Sequence, residues 1–362
     1  MKDLHIGQML ISNNIGGAET VALNISKNLI KRGIKVTVIL NDRLYKYFKD
    51  IDGLNVVNIG KVYKYDSKPL RNIYATLYFK HHKRDIGKTL AKEHFDILHI
   101  HLPLSMFLLD EIKSYLACRF LYTFHGDISL IQSCNLNPSG ALQRMIVLHK
   151  LSKAHYYTSA CRYFIDRYSK SGIISNNYKI IPNGIDLDEV NNISEIELAG
   201  DFNILFLGGE RYAKGGDILV KSLDILKEEI PNSRLYVLND VPQNHFMRKY
   251  VRKHNLEGNV VFVGYIRPPG YYQYIKSSDI VVLPSRTEGI AASLLEDLAF
   301  GKPVIATKVG GTPEFIQHGV NGLLTSLDPK HIADSIIYLY KNPAIREKMS
   351  KECFLCGKST IA

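Results

Sequence analysis

No stretch of eighteen or more apolar residues occurs in this chain, so no membrane-spanning helix is expected. The opening Met1-Lys2-Asp3-Leu4-His5-Ile6 runs straight into a strand-like segment and carries no secretory apolar region. Cysteine is scarce. The five in 362 residues (Cys118, Cys134, Cys161, Cys353, Cys356) are scattered and odd in number, which argues against a disulfide framework and suits a reducing cytosol. Cys353-x-x-Cys356 has no second pair with which to hold zinc, and reads as incidental. Low-complexity tracts and short internal repeats are missing too. The expected location is cytoplasmic, with a peripheral position on the cytoplasmic membrane face left open.

What is present is a globular composition, 46% apolar and 22% charged, in a chain too long for one ordinary core and suited to two domains. The net charge of +11 is lopsided. Residues 1–185 hold 26 Lys+Arg against 13 Asp+Glu, a net +13, and the remainder 20 against 22, a net −2. The first half therefore projects a basic field, which would attract anionic lipid head groups, an acidic acceptor or nucleic acid.

Apolar strand-like runs alternate with helical patterns along both halves, which predicts an α/β fold of two doubly wound parallel sheets. Strands are expected at 4–11, 35–40, 55–59, 96–100, 119–124, 154–158 and 178–181, then at 202–208, 233–238, 259–264, 279–283, 303–306 and 322–325. A helix over 18–31 would place Val21, Ile25 and Leu29 on one face and end at Gly33. Pro182-Asn183-Gly184 breaks the pattern and a polar stretch follows. The predicted domains are 1–185 and 201–345, with a linker at 186–200 and a tail at 346–362.

The run Pro284-Ser285-Arg286-Thr287-Glu288-Gly289-Ile290-Ala291-Ala292-Ser293-Leu294-Leu295-Glu296 carries the strongest chemical signal. It lies between the apolar strands at 280–283 and 303–307. Glu288 then sits on the loop leaving a buried strand, and Glu296 about two turns into the next helix. A helix beginning at Gly289 or Ile290 would aim its free N–H groups at that loop, a suitable place for a phosphate. Two carboxylates beside a phosphate cradle suit a nucleotide-sugar, whose sugar and ribose hydroxyls donate hydrogen bonds. The loop Gly208-Gly209-Glu210-Arg211-Tyr212-Ala213-Lys214-Gly215-Gly216 adds a forked and a compact cation before another helix, a combination suited to a diphosphate. Gly16 and Gly17 stand at a strand-to-helix turn where backbone can approach a ligand closely.

Two glutamates with seven residues between them, then Gly301-Lys302-Pro303-Val304-Ile305-Ala306-Thr307, Gly310-Gly311-Thr312-Pro313-Glu314 and Gly319-Val320-Asn321-Gly322, follow one another in a set order and spacing. In these motifs the chain resembles the retaining glycosyltransferases of family 4, which have the GT-B fold of two Rossmann-like domains facing across a cleft. The likeness is most specific from Ala199 to Leu324. It implies transfer of a sugar from a nucleoside-diphosphate-sugar donor, a UDP-sugar ahead of a GDP-sugar, to the hydroxyl of a glycan or lipid-linked acceptor, without metal or resident cofactor. The first domain would hold the acceptor and the second the donor. By the same resemblance Glu288 contacts donor-sugar hydroxyls and Glu296 the ribose. Gly289, Ile290, Ala291 and Ala292 would offer backbone N–H groups, and Arg211 and Lys214 would neutralise the departing diphosphate. Gly16 and Gly17 lie against the diphosphate, the donor sugar or the edge of the acceptor, and His125, just past the strand 119–124, faces the donor sugar. Arg286 and the segment Gly264-Tyr265-Ile266 would help read base and sugar, and the tail would be a short form of a helix that returns to the first domain. The reaction implied is a front-side displacement, in which the leaving phosphate takes the acceptor's proton.

His99 and His101 read as structural, His101 with a secondary role as an acceptor contact. Asp50-x-Asp52 and Asp186-x-Asp188 do not end strands of a nucleotide-binding unit, which speaks against a metal site. Residues 61–92 interleave Lys and Arg with Tyr63, Tyr65, Ile73, Tyr74, Leu77, Tyr78 and Phe79. This pattern fits a basic helix lying apolar side down on an anionic membrane, or one packed on the sheet with a solvated basic face. Two other functions stay open from sequence. A GT-B sugar-nucleotide epimerase would use a similar cleft without an acceptor. A non-catalytic basic binding module would leave the glutamate pair without purpose, and no nucleic-acid motif accompanies the basic residues.

Overall fold

A computed structural model describes residues 4–12, 16–62, 68–126, 148–170, 177–185, 190–267 and 270–359. Two compact units divide the chain, Met1–Ile181 and Pro182–Ala362.

The first unit contains β1 (His5–Leu10), β2 (Lys35–Leu40), β3 (Asn55–Asn58), β4 (Ile97–Ile100), β5 (Arg119–Phe124), β6 (Tyr156–Ser159) and β7 (Tyr178–Ile180). They form one sheet in the order β3-β2-β1-β4-β5-β6-β7, with every neighbouring pair parallel. All six residues of β1 are buried, as expected of a central strand covered on both faces. Helices α1 (Gly17–Lys31), α2 (Asp42–Phe48), α3 (Lys68–Ala91), α4 (Pro103–Ile112) and α5 (Arg162–Ser169) supply cover. In α1 the inward stripe is rotated from the predicted one. Ala22 and Ser26 are fully buried, while Val21, Ile25 and Leu29 flank them half-buried. Gly33 ends α1 as expected, and the Ile34 N–H returns to the Leu29 carbonyl at 3.0 Å.

The second unit contains β8 (Phe202–Phe206), β9 (Ser233–Leu238), β10 (Val260–Gly264), β11 (Ile280–Leu283), β12 (Val304–Thr307) and β13 (Gly322–Thr325). Their order is β10-β9-β8-β11-β12-β13, again all parallel. Its helices are α6 (Gly216–Glu229), α7 (Phe246–Lys253), α8 (Gly270–Ser277), α9 (Ala292–Ala299), α10 (Thr312–Phe315), α11 (Pro329–Lys341) and α12 (Pro343–Ser359). One buried cluster unites Phe202, Ile204, Phe206, Leu219, Leu223, Leu235, Val282, Ile305 and Ile336.

Both sheets are doubly wound. The strand order reverses between β1 and β4 in the first and between β8 and β11 in the second. In such sheets the crevice outside the strand C-termini at the reversal is where ligands bind. The segments leaving these four strands are 11–17, 101–103, 207–216 and 284–291, which hold the predicted site residues other than His125, Ala292 and Glu296.

Three expectations can be set against the structure. The stretch 190–200, read as a linker, is bonded to the second unit. The Ile196 N–H donates to Ser277 Oγ at 2.8 Å, the Ala199 N–H to the Tyr236 hydroxyl at 2.8 Å, and Lys276 Nζ to the Ile193 carbonyl at 2.6 Å. The segment 346–362, read as a tail with a short helix, is helical as far as it is described. Through Ser359 it forms most of α12, which packs on α9 and α11. Cys353 is buried there and its thiol donates to the Asn321 carbonyl at 2.9 Å, a packing role for that residue. Finally, α3 turns its apolar side inward. Ala75, Phe79, Ile86 and Leu90 are buried and the Tyr78 hydroxyl donates to the Ile59 carbonyl at 2.7 Å, whereas Lys80, Lys83, Arg84 and Lys88 are exposed. Of the apolar residues in that stretch, Leu77 alone among the described side chains stands well out, at 60% exposure, so insertion apolar side down does not fit. Among the described residues no helix is long and apolar enough to cross a membrane. Tyr63, Tyr65 and the triplet Asp186-Leu187-Asp188 lie outside the described residues.

Candidate functional site

In the second unit, two loops meet at the reversal point. The first leaves β8 through a short turn, Tyr212–Lys214, and enters α6. The second is Pro284–Ala291, between β11 and α9. Two glycines allow the contact. Gly215 has φ +71°, and a Cβ there would fall 1.9 Å from the Pro284 carbonyl oxygen. Gly310, φ +57°, would place one 1.8 Å from the Glu288 carbonyl oxygen. Only glycine tolerates both the left-handed backbone and the approach. The Gly311 N–H completes the clamp with a 2.7 Å bond to the Gly289 carbonyl.

Lys214 and Glu288 come together here. The Lys214 ammonium contacts Glu288 Oε1, and Ser285 Oγ donates to the same oxygen at 2.8 Å. Among the described residues Oε2 has no hydrogen-bond partner, which leaves a carboxylate oxygen able to accept from a ligand hydroxyl. Thr307 Oγ1 donates to the Ser285 carbonyl at 2.5 Å and steadies the loop from β12.

Arg286 is placed differently from the reading that gave it to the ligand. Its guanidinium forks onto Asp217 through two 2.7 Å bonds, reaches the Tyr212 carbonyl at 2.7 Å and stacks 3.7 Å from the Tyr212 ring centroid. Burial works against ionisation of Asp217, but the Arg286 bonds and charge outweigh it and hold the carboxyl below the usual range. Arg286 thus staples the two loops together, helped by its own N–H to the Ala213 carbonyl at 2.8 Å. Arg211 is exposed and makes no side-chain hydrogen bond or ion pair among the described residues. It lines a cavity of about 280 Å³ with Tyr212, Lys221, His245 and Phe246, whose lining does not include Lys214 or Glu288. A larger open hollow, about 720 Å³ at the carboxyl ends of β12 and β13, is lined by Thr307, Lys308, Thr325 and His331 and by none of the predicted residues.

The α9 helix starts at Ala292 with Ala291 as its N-cap, later than the expected start at Gly289 or Ile290. Ile290 and Ala291 are buried, and the Leu294 N–H is bonded to the Ala291 carbonyl at 3.0 Å. The N-terminal end of the helix therefore belongs to Ala292 and Ser293. Glu296 lies one turn further on and accepts a 2.6 Å hydrogen bond from the Tyr271 hydroxyl. Next to it, Asp297 is fully buried with neither carboxylate oxygen hydrogen-bonded among the described residues.

In the first unit the Gly16 N–H donates to Glu19 Oε2 at 2.9 Å, so this N–H serves the cap of α1. A Cβ on Gly16 would meet that oxygen, the end of a flexible side chain, at 3.2 Å; Gly17 opens the helix itself. His125 follows β5 and joins a row of polar groups across the carboxyl ends of three parallel strands. His101 Nε2 meets Gln8 Oε1 at 2.5 Å, and His101 Nδ1 meets His125 Nε2 at 2.7 Å. His99 Nε2 meets Thr123 Oγ1 at 2.6 Å, and Thr123 meets Thr158 at 2.5 Å. Burial pushes His125 down to about 4, and burial with the nearby His125 brings His99 to about 3; His101 is also held well below the usual histidine value, by burial first and then by its two neighbours. All three rings are neutral near pH 7. With Gln8 Oε1 accepting, His101 Nε2 carries the proton, His101 Nδ1 accepts from the His125 Nε2–H, and His125 Nδ1 is left as a lone-pair acceptor.

Comparison with known proteins assigns the chain to a family. Residues 15–189 match the family described as Glycosyltransferase Family 4, and residues 191–353 the one described as Glycosyl transferases group 1. The chain belongs to the GT-B glycosyltransferases of group 1 and family 4. A glycosyltransferase of this kind from Methanocaldococcus jannaschii, itself uncharacterised, is 24% identical over 85% of this chain and 81% of its own length. The N-acetyl-alpha-D-glucosaminyl L-malate synthase of Bacillus anthracis is 26% identical over 93% of this chain and 88% of its own. Among solved structures, sucrose-phosphate synthase of Thermosynechococcus elongatus superposes with a TM-score of 0.81 at 18% identity, covering 99% of this chain and 95% of that one. Anabaena HepE, solved with UDP-glucose, gives 0.79 at 18% identity over the same shares.

Sequence reasoning missed Asp217, Ser285, Gln8 and Tyr271. Gln8 had a readable signal, since it is the polar residue in the middle of an otherwise buried apolar strand. Tyr271 had none, because a tyrosine in a short amphipathic helix reads as packing.

Proposed function

We propose that this glycosyltransferase moves a hexosyl group from a nucleoside-diphosphate sugar, a UDP-sugar ahead of a GDP-sugar, to an acceptor hydroxyl with retention of configuration and without a metal ion. The observation that carries this reading is the Lys214 ammonium seated on Glu288 at the β8/β11 reversal point, one cation and one half-open carboxylate side by side. Lys214 would meet the diphosphate and stabilise the charge that grows as the glycosidic bond breaks, and stabilisation of this kind is usually the main source of an enzyme's rate enhancement. Glu288 would accept from sugar hydroxyls through Oε2, and Glu296 from the ribose. Arg211, with no partner among the described residues, is assigned a supporting role toward the phosphates. His125, neutral and offering Nδ1, would accept a hydrogen bond from the sugar and not abstract a proton. The leaving phosphate would take the acceptor's proton. That HepE was solved with UDP and with UDP-glucose supports a uridine donor.

The acceptor assigned to the first unit is a glycan or lipid-linked hydroxyl, in cell-surface glycan or glycolipid synthesis. With its apolar side packed inward, α3 would attract an anionic membrane by charge alone, through Lys80, Lys83, Arg84 and Lys88.

The test begins with thermal shift against UDP, GDP and a panel of their sugars, because a ligand binding only the native state raises the melting temperature. Transfer to simple glycosides in EDTA follows, with the anomeric configuration of the product read by NMR. An α-product from an α-donor in EDTA is expected. An inverted product, or no stabilisation by any nucleoside diphosphate, overturns the reading.

A further inference from the structure

Tyr271 stands in the first turn of α8, and its ring is held by packing. It lies 4.5 Å, centroid to centroid, from Tyr272, which is buried and sits 5.3 Å from Phe300 at the end of α9. The phenol is therefore fixed relative to α9, the helix that carries Glu296. Its hydroxyl lies 2.6 Å from Glu296 Oε1. An ionised carboxylate only accepts, so the phenol must be the donor. An O–H on a carboxylate at this distance is a charge-assisted bond of the stronger kind.

We propose that Tyr271 is a positioning residue for nucleotide recognition: by donating to Glu296 Oε1 it helps fix the plane in which the carboxylate accepts from the two vicinal hydroxyls of the donor's ribose. The inference rests on the reading of Glu296 as the ribose contact and goes beyond it. A glutamate side chain has three rotatable bonds, and each contact that holds its carboxylate in place lowers the freedom lost on binding; the Tyr271 bond makes part of that contribution beforehand. Burial and the adjacent carboxylate drive the phenol well above its ordinary range, so it stays a donor throughout the working pH.

The experiment measures UDP and 2′,3′-dideoxy-UDP binding by calorimetry to the wild type, Tyr271→Phe, Glu296→Gln and the double variant. Phenylalanine keeps the ring and its packing, and melting temperatures check folding. Tyr271→Phe is expected to weaken UDP about fivefold to tenfold, the loss of one hydrogen bond's effect, and to leave the dideoxy nucleotide unchanged. In the Glu296→Gln background the same substitution should have little further effect, because the two act as one unit. Equal weakening of both nucleotides would mean a general structural role and overturn the proposal. Unchanged UDP binding in Tyr271→Phe, with weakening in Glu296→Gln, would overturn the positioning role and leave the ribose contact standing. Unchanged UDP binding in Glu296→Gln would remove the ribose contact itself.

Discussion

Asp297 is predicted to destabilise the second unit near neutral pH, and its replacement by alanine to stabilise it. The carboxyl is fully buried in α9, and neither oxygen is hydrogen-bonded among the described residues. Burial, and then the charge of Glu296, push it well above the carboxylate range. In the unfolded chain the group ionises at about pH 3.9. Between that value and its raised folded value, the native state binds more protons than the unfolded one. Stability then falls as pH rises, by at most about 1.4 kcal/mol per unit. An unsatisfied buried polar group costs about 1–3 kcal/mol, and the small void left by alanine gives back about 1 kcal/mol. The net expectation for Asp297→Ala at pH 8 is a gain of about 0–2 kcal/mol. At about 2–4 °C per kcal/mol for a unit of this size, the melting temperature should rise by up to roughly 8 °C. Below pH 4 the gain should vanish or reverse, since both states of the wild type are then neutral at this position. Urea melts of the wild type and variant at pH 4, 6 and 8 decide the matter. A difference that does not change with pH, or a variant less stable at pH 8, would refute the reasoning.

Lys214→Ala should lower turnover by on the order of a hundredfold or more, the usual effect of losing a donor aimed at developing charge. Unaltered turnover at saturating donor would remove Lys214 from the chemistry. Gly310→Ala should be harmful twice over. Its Cβ would fall 1.8 Å from the Glu288 carbonyl oxygen at φ +57°, so the loop must move. A loss of about 1–3 kcal/mol in stability is expected, together with lost turnover and no gain in donor affinity. Wild-type turnover in a stably folded variant would show that the Glu288 loop has slack that the packing denies.

The sheets were legible because parallel strands covered on both faces read as plain apolar runs, and each expected strand is present within a residue or two. The corrections have physical causes that pattern cannot carry. Gly289-Ile290-Ala291 continues an apolar run into α9 and looks helical. Yet Ala291 is extended, with ψ at 124°, while the Gly311 N–H holds the Gly289 carbonyl, and a bond from twenty-two residues away outweighs local preference. Residues 190–200 look solvated because they are polar, but polar seams bonded to neighbouring side chains have no period to detect. For α3, spacing defines an apolar stripe without naming what covers it. The site residues divide in the same way. Lys214 and Glu288 were named as parts of one site and do meet. Arg286 had the right chemistry for an anion and met Asp217 first, a partner seventy positions distant that no motif announces.

That division bears on how the site would work. Arg286 and Asp217 are matched by a rigid fork with both oxygens used, which suits a fixed brace. Lys214 and Glu288 meet through one ammonium and one oxygen on partly accessible side chains, 23% and 11% exposed. An incoming diphosphate carries more charge than a single carboxylate and would replace Glu288 as the partner of the ammonium, so that the lysine is not left uncompensated when it moves. Glu288 remains held by Ser285 when that happens, and the oxygen freed from the lysine becomes a second acceptor for sugar hydroxyls. A fixed brace thus stands beside a pair whose cation has a second partner to go to when donor is bound. Ser285→Ala should therefore raise KM for the donor sugar more than it affects binding of the bare nucleotide. Equal effects on the two would place the serine in loop stability instead.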